Sequence, residues 1–91
     1  MAQRATVRVT IANRLGLHAR PATEFVDLAS GFVCEVTVSK GEERVSGKSI
    51  MEMMMLAATQ GTVLEIVAEG DDAEPCVKAL SDLVAAGFGE M

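Results

Sequence analysis

Four stretches of the chain alternate apolar and polar residues, which is the pattern of a strand with one buried side and one solvent-facing side. They cover residues 6–12, 33–40, 43–46 and 62–69. The third stretch is short and charged, as edge strands often are, and it follows the second after a turn at residues 40–42. The alternation therefore predicts four strands, of which the middle two form a hairpin.

Three further stretches place apolar residues at helical spacing on a single stripe. The first begins near Pro21, which suits a first helical turn, and is predicted to end at Gly31. The second opens after Ser49, and the third is capped by residues 70–72 and ends at Gly87. The helical positions predicted to face the core are Ala22, Phe25, Val26, Ala29, Met53, Leu56, Val77, Leu80, Leu83 and Val84.

The resulting element order is β-α-β-β-α-β-α. The strands have one solvent-facing side, and the helices have one apolar stripe. An α+β fold, in which a four-stranded antiparallel sheet carries three helices on one face, buries the apolar faces of both. The chain has 91 residues, which predicts one domain spanning residues 1–91. Because 49% of the residues are hydrophobic, a modest core is expected to form without metal or disulfide staples.

Charge and composition argue against several classes of function. The net charge is −5 and the chain has no Trp and no Tyr, so neither a basic surface nor a stacking platform for nucleic acid is expected. Cys34 and Cys76 match no zinc or redox spacing and are predicted to be buried free thiols. No apolar run reaches the roughly 18 residues of a membrane helix, and the start of the chain lacks an apolar signal stretch. We therefore expect a cytosolic protein that binds no membrane.

Candidate chemistry lies at the start of the first predicted helix, beside the only histidine, His18. A helix start presents unpaired N–H groups and partial positive charge, and Arg20 adds a planar fork of donors suited to phosphate oxygens. A neutral imidazole is a suitable nucleophile for phosphoryl transfer. No carboxylate lies within a few residues of His18, so no hydrolytic triad is predicted, which would suit a carrier. The alternative interpretations are an ordinary loop histidine and a solvated first-turn arginine.

The start of the second helix carries two further candidates. Ser49 is predicted to be its N-cap, with Glu52 completing a capping box, and the same hydroxyl is a candidate regulatory phosphorylation site. The two roles are compatible. The apolar residues of this short helix exceed what one side can bury, so Ile50, Met51 and Met54 are expected to form an exposed docking patch.

Two motifs resemble those of a known family. Residues 16–22, with the sequence GLHARPA, resemble the active-site signature of HPr, the histidine phosphocarrier family of the bacterial phosphoenolpyruvate-dependent phosphotransferase system. Residues 47–51, GKSIM, resemble the regulatory serine region of the same family. The spacing of the motifs and the element order also fit, and the resemblance covers essentially the whole chain. It implies an HPr-like open-faced β-sandwich.

The resemblance also implies specific roles. His18 would accept a phosphoryl group on Nδ1 from phospho-enzyme I and pass it to an enzyme IIA domain, while Arg20 and the backbone at Ala19 and Arg20 would hold the phosphate. Ser49 would be the target of an HPr kinase/phosphorylase. The protein would be a cytoplasmic, monomeric carrier and not an enzyme, with no metal or organic cofactor. The residues implied in partner docking are Arg20, Lys48, Ile50, Met51 and Met54.

The chain departs from some relatives in ways that leave open whether it serves the sugar-transport branch or a regulatory branch of the phosphotransferase system. Glu24, Asp27 and Ser30 stand where some relatives carry docking lysines. Residues 13–16 and 86–90 resemble the nitrogen-related paralogue NPr, whereas the region around Ser49 resembles kinase-regulated HPr. The alternative function is therefore a signalling module that binds transcriptional regulators or kinases according to its phosphorylation state, instead of a carrier for sugar transport. An unrelated binding domain with a structural His18 is a third possibility.

Overall fold

The computed structural model describes residues 3–90 of the chain. It contains four strands, three α-helices and a terminal 3-10 turn. In chain order these elements are β1 (Arg4–Thr10), α1 (Ala19–Ser30), β2 (Glu35–Lys40), β3 (Glu43–Ser46), α2 (Ile50–Met55), β4 (Val63–Glu69), α3 (Ala73–Ala85) and the turn Gly87–Gly89. The predicted order of elements is confirmed.

The strands form one antiparallel sheet in the order β1-β4-β2-β3. Strand β4 lies between β1 and β2, so that Ile66 pairs with Val7 on one side and with Val38 on the other. Strand β3 is an edge strand, paired with β2 in the predicted hairpin. The three helices cover one face of the sheet, which confirms the predicted open-faced sandwich.

The core lies between the helices and the sheet face formed by alternate strand residues. Val38, Ile66, Phe25, Met53 and Leu80 are each 0% exposed. Burial of this apolar surface is the main stabilising contribution to the fold. The predicted helix stripes are confirmed with one exception, Leu83, which is half-buried because it packs at the margin of the core. No helix among residues 3–90 is long and apolar enough to span a membrane.

Asp72 changes the predicted structure at two places. It is the N-cap residue of α3, but its side chain makes no capping bond. Its carboxylate instead accepts hydrogen bonds from the N–H groups of Val33, at 2.7 Å, and Cys34, at 2.9 Å. Strand β2 therefore begins at Glu35, and the prediction that it begins at Val33 is wrong. The same N–H donors, Val33 first, hold the pKa of Asp72 below its ordinary value.

The two cysteines are buried free thiols, as predicted. Although they are distant in the sequence, the two thiols lie close to each other, with Cys34 directly before β2 and Cys76 on α3. Burial raises the pKa of Cys34, and burial together with the contact to Cys34 raises the pKa of Cys76 to about 12. Both thiols are therefore protonated at neutral pH and poor nucleophiles.

Candidate functional site

The loop before α1 is held close to the segment that follows α2. Leu17 is buried, and its N–H donates to the carbonyl of Ala58 at 2.8 Å. Gly16 adopts a φ of +69°, and a Cβ at that position would lie 2.5 Å from the Ala58 oxygen. Only glycine fits this close approach without displacing backbone. The loop therefore delivers His18 to the helix start in a defined position.

His18 is the N-cap residue of α1, with an extended backbone conformation. Within residues 3–90, the first turn of α1 carries no acidic side chain, and the ring of His18 makes no capping bond to it. The N–H groups of Ala19 and Arg20 have no acceptor inside the helix, and Pro21 has no N–H to satisfy. These uncapped donors and the positive end of the helix dipole form an anion-binding position beside the imidazole.

A carboxylate that the local sequence did not predict contacts the His18 ring. The Nε2 atom of His18 lies 2.8 Å from Oε2 of Glu90, although the two residues are 72 positions apart. A carboxylate accepts and cannot donate, so the neutral ring carries its proton on Nε2 in this contact. The lone pair of the neutral ring is then on Nδ1.

The second oxygen of the Glu90 carboxylate contacts the only asparagine of the chain. Asn13 is 0% exposed, and its Nδ2 donates to Glu90 Oε1 at 2.9 Å and to the carbonyl of Gly16 at 2.7 Å. The carboxylate thus bridges a buried amide and the imidazole. Spacing along the sequence gave no signal for the contacts of Glu90 with Asn13 and His18, because Glu90 is more than 70 positions away from both residues.

Arg20 lies on the exposed side of the same helix start. Its Nε is 3.9 Å from a carboxylate oxygen of Glu24, and its side chain is 77% exposed. An ion pair this long and this exposed contributes little, so the guanidinium is available to a phosphate. Arg20, Glu24 and Glu90 line one open groove, together with Arg14 and Phe88.

Ser49 is the N-cap residue of α2, as predicted. Its hydroxyl accepts a hydrogen bond from the N–H of Glu52 at 3.2 Å. The predicted capping box is incomplete, because the Glu52 carboxylate accepts from the N–H of Ser46, at 3.0 Å, instead of that of Ser49. The Glu52 side chain therefore fastens the end of β3 to the start of α2.

The exposed side of α2 is apolar. Met51 is 76% exposed, whereas Met53 is fully buried. Ile50 and Met54 are also exposed, as expected, and Met55 joins them at 70%, which the sequence interpretation missed. Lys48, which is expected to take part in docking, donates a hydrogen bond from its ammonium to the carbonyl of Phe32 at 2.6 Å. We call Ile50, Met51, Met54 and Met55 the α2 patch.

Comparisons with known proteins agree with these observations. Residues 5–86 match a family model described as "PTS HPr component phosphorylation site". The chain is 50% identical over 82 residues to the phosphocarrier protein HPr of Neisseria meningitidis serogroup B, covering 90% of this chain and 92% of that protein. It is 41% identical over 83 residues to the phosphocarrier protein NPr of Shewanella violacea, covering 91% of each.

A solved structure shows the same architecture. The crystal structure of HPr-C-His from Thermoanaerobacter tengcongensis superposes with a TM-score of 0.92 at 47% sequence identity, covering 96% of this chain and 98% of that one. Sequence motifs, element order, sheet topology and the surroundings of His18 therefore point to one family. The chain belongs to the HPr family of the phosphotransferase system.

Proposed function

We propose that this protein is a phosphocarrier that accepts a phosphoryl group from phospho-enzyme I on Nδ1 of His18 and passes it to an enzyme IIA domain. The observation that carries the proposal is the contact between His18 Nε2 and Glu90, which leaves Nδ1 free beside the uncapped start of α1. Names of the relatives, HPr and NPr, support the same role.

The site fits an in-line transfer. The Nδ1 lone pair attacks phosphorus while the bond from phosphorus to the donor breaks, and the nitrogen–phosphorus bond forms on the opposite side. No proton has to leave the His18 ring, because its one proton stays on Nε2, where it forms a hydrogen bond to Glu90. In this proposal the N–H groups of Ala19 and Arg20 and the guanidinium of Arg20 bind the phosphoryl oxygens and stabilise their charge. Phosphorylation makes the ring cationic, which the Glu90 carboxylate stabilises.

The role is that of a carrier and not of an enzyme with its own small-molecule turnover. His18 is half-exposed on an open surface, so a partner protein can present its phosphoryl group directly. The α2 patch supplies an apolar docking surface of flexible side chains, suited to partners such as enzyme I and enzyme IIA. We propose a cytoplasmic protein that acts as a single domain and a monomer.

Ser49 is proposed as the regulatory phosphorylation site, with an HPr kinase/phosphorylase as the enzyme that modifies it. Its hydroxyl is half-buried at the start of α2, directly before two residues of the α2 patch. A phosphoryl group there adds about two negative charges beside an apolar docking surface. Docking of an acidic or apolar partner face would weaken as a result.

A second candidate role is that of an NPr-type regulatory component. It is favoured by the match to the NPr of Shewanella violacea, which covers the chain as fully as the HPr match does. The two roles share the chemistry at His18 and differ in their partners. The two roles are distinguished by comparing the rate of phosphoryl transfer to enzyme IIA domains of sugar permeases with the rate of transfer to those of a regulatory branch.

The test of the carrier function is a phosphorylation assay. The purified protein is incubated with enzyme I, Mg²⁺ and phosphoenolpyruvate, and its intact mass is measured before and after mild acid. We expect a gain of one phosphoryl group that acid removes. His18→Ala should gain none, with little loss of folding stability, because the His18 ring lies outside the hydrophobic core and makes no capping bond to α1. A phosphorylated His18→Ala protein would exclude His18 as the acceptor.

A further inference from the structure

We propose that Asn13 is a positioning residue for phosphoryl transfer, which acts through Glu90 to keep the proton of His18 on Nε2. The inference rests on the proposed function, because it explains how the acceptor nitrogen is selected. It assigns a role to a buried side chain that does not itself line the groove beside Arg20.

Asn13 is the one buried polar side chain among residues 3–90. It lies at the end of β1 in the loop that leads to His18, and both hydrogens of its amide are used. One is accepted by the Gly16 carbonyl at 2.7 Å, which closes the loop on itself, and the other by Glu90 Oε1 at 2.9 Å. This amide therefore joins the loop before α1 to Glu90.

The orientation of this amide is determined by its partners. Exchange of Oδ1 and Nδ2 would place the oxygen against two acceptors, the Gly16 carbonyl and the Glu90 carboxylate, which is repulsive. In the orientation that satisfies both bonds, Oδ1 is buried and has no hydrogen-bond partner in the part of the chain that the structure describes. An unsatisfied buried acceptor is costly and unusual in native proteins. A cost retained beside a reactive group is typical of a functional position.

The Glu90 carboxylate depends on Asn13 for its orientation. Glu90 follows a turn in which Phe88 and Gly89 both have positive φ angles, and its N–H donates to the carbonyl of Gly87 at 3.0 Å. Its two oxygens are divided between Asn13 and His18. With one oxygen held by a rigid buried donor, rotation of the carboxylate is blocked and the other oxygen stays on His18 Nε2. Without Asn13, the carboxylate is free to turn toward water.

The test measures the tautomer of His18 directly, in unphosphorylated protein. The chain has one histidine and one asparagine, so ¹⁵N spectra of the imidazole and of the Asn side-chain amide each contain a single set of signals. The Nε2–H fraction of the neutral ring is compared in the parent protein, Asn13→Ala, Glu90→Ala and the double variant. Gln60→Ala is the matched control, because the side-chain amide of Gln60 donates a hydrogen bond to the same loop, at the Ala12 carbonyl, and none to Glu90.

We expect both single variants to lower the Nε2–H fraction, and the double variant to lower it no further than Glu90→Ala alone. Gln60→Ala should match the parent protein. Phosphoryl uptake from enzyme I should slow about tenfold in Asn13→Ala, the scale of one hydrogen bond to a charged group, with no further loss when Glu90 is already truncated. An unchanged tautomer fraction in Asn13→Ala, or additive effects in the double variant, would overturn the inference.

A second measurement covers the case in which Asn13→Ala fails to fold. In Glu90→Ala, which leaves the Asn13 side chain in place, one proton of the Asn13 side-chain amide loses its acceptor, so its resonance should shift upfield and its exchange with water should accelerate. An unaffected Asn13 amide would rule out the coupling. Because these spectra need no phosphorylation, they are informative even if enzyme I fails to label the protein, which would contradict the proposed function alone.

Discussion

The Nε2 atom of His18 and the Oε2 atom of Glu90 lie 2.8 Å apart, across 72 positions of the sequence. This contact gives the two ring nitrogens different roles. In the neutral ring, the nitrogen that faces Glu90 carries the proton and the other nitrogen carries the lone pair. Glu90 is therefore part of the immediate surroundings of His18, although it is remote from it in the sequence.

Replacing Arg20 by Ala should slow phosphoryl uptake without abolishing it. Hydrogen bonds from a guanidinium to a charged group contribute about 1.5–3 kcal/mol, so the rate should fall by about one to two orders of magnitude. The rate is measured by quenched-flow transfer from phospho-enzyme I. Arg8→Ala is the control, because Arg8 is equally exposed on the sheet and makes an equally long ion pair, 3.9 Å to Glu65. Equal rates for Arg20→Ala and Arg8→Ala would remove Arg20 from the mechanism.

Two substitutions at Ser49 separate its capping role from a charge effect. Ser49→Ala removes the bond to the Glu52 N–H and should lower the free energy of unfolding by about 1 kcal/mol, with transfer rates nearly unchanged. Ser49→Asp keeps a good N-cap and should retain stability, yet it places a negative charge beside the α2 patch and should slow uptake from enzyme I. Chemical denaturation and transfer kinetics are measured for both. Normal kinetics in Ser49→Asp would leave Ser49 with a structural role alone.

Neighbouring methionines of α2 should respond in opposite ways to truncation. Met53 is 0% exposed, so Met53→Ala should lower the free energy of unfolding by about 2–5 kcal/mol through lost burial and a cavity. Met51 is 76% exposed, so Met51→Ala should change stability by less than about 0.5 kcal/mol while weakening the binding of enzyme I. Denaturation and titration calorimetry measure the two effects. Unaltered binding by Met51→Ala would exclude this residue from the docking surface.

Asp72 should make stability depend on acidity. Its pKa in the folded protein is lowered from 3.8 by the N–H donors of Val33 and Cys34, so its ionised form stabilises the fold above the unfolded-state pKa. That contribution is lost as the pH falls through the lowered pKa. Asp72→Asn should therefore be less stable than the parent protein at neutral pH, and the difference should shrink in acid. Asp71→Asn, at the exposed neighbour, is the control, and a pH-independent difference for Asp72→Asn would contradict the assignment.

The elements of the fold could be predicted because their signals are local. Strand β3 was predicted with the bounds that the structure has, and the separation of Met53 and Leu56 from the exposed residues of α2 is confirmed. The start of β2 was not predictable, because Val33 and Cys34 donate their N–H groups to a carboxylate 39 and 38 positions away. Alternation of side chains reports which face is buried and contains no information about such a remote acceptor.

The residues of the site also fall into those that local sequence predicts and those that depend on remote contacts. His18, Arg20 and the helix start were predicted from one short motif. Glu90 and Asn13 were not, because their contacts depend on how α3 and the following turn return the chain to the first loop. One hint existed, the resemblance of residues 13–16 and 86–90 to NPr. It pointed to both segments without indicating that they meet.

We propose that Nδ1 of His18 is the phosphoryl acceptor because Glu90 holds the proton on Nε2. The most direct test is a ³¹P–¹⁵N correlation spectrum of the phosphorylated, histidine-labelled protein, which identifies the nitrogen bonded to phosphorus. We expect coupling of phosphorus to Nδ1, with a proton on Nε2. Coupling to Nε2, or phosphorus on any residue other than His18, would contradict it.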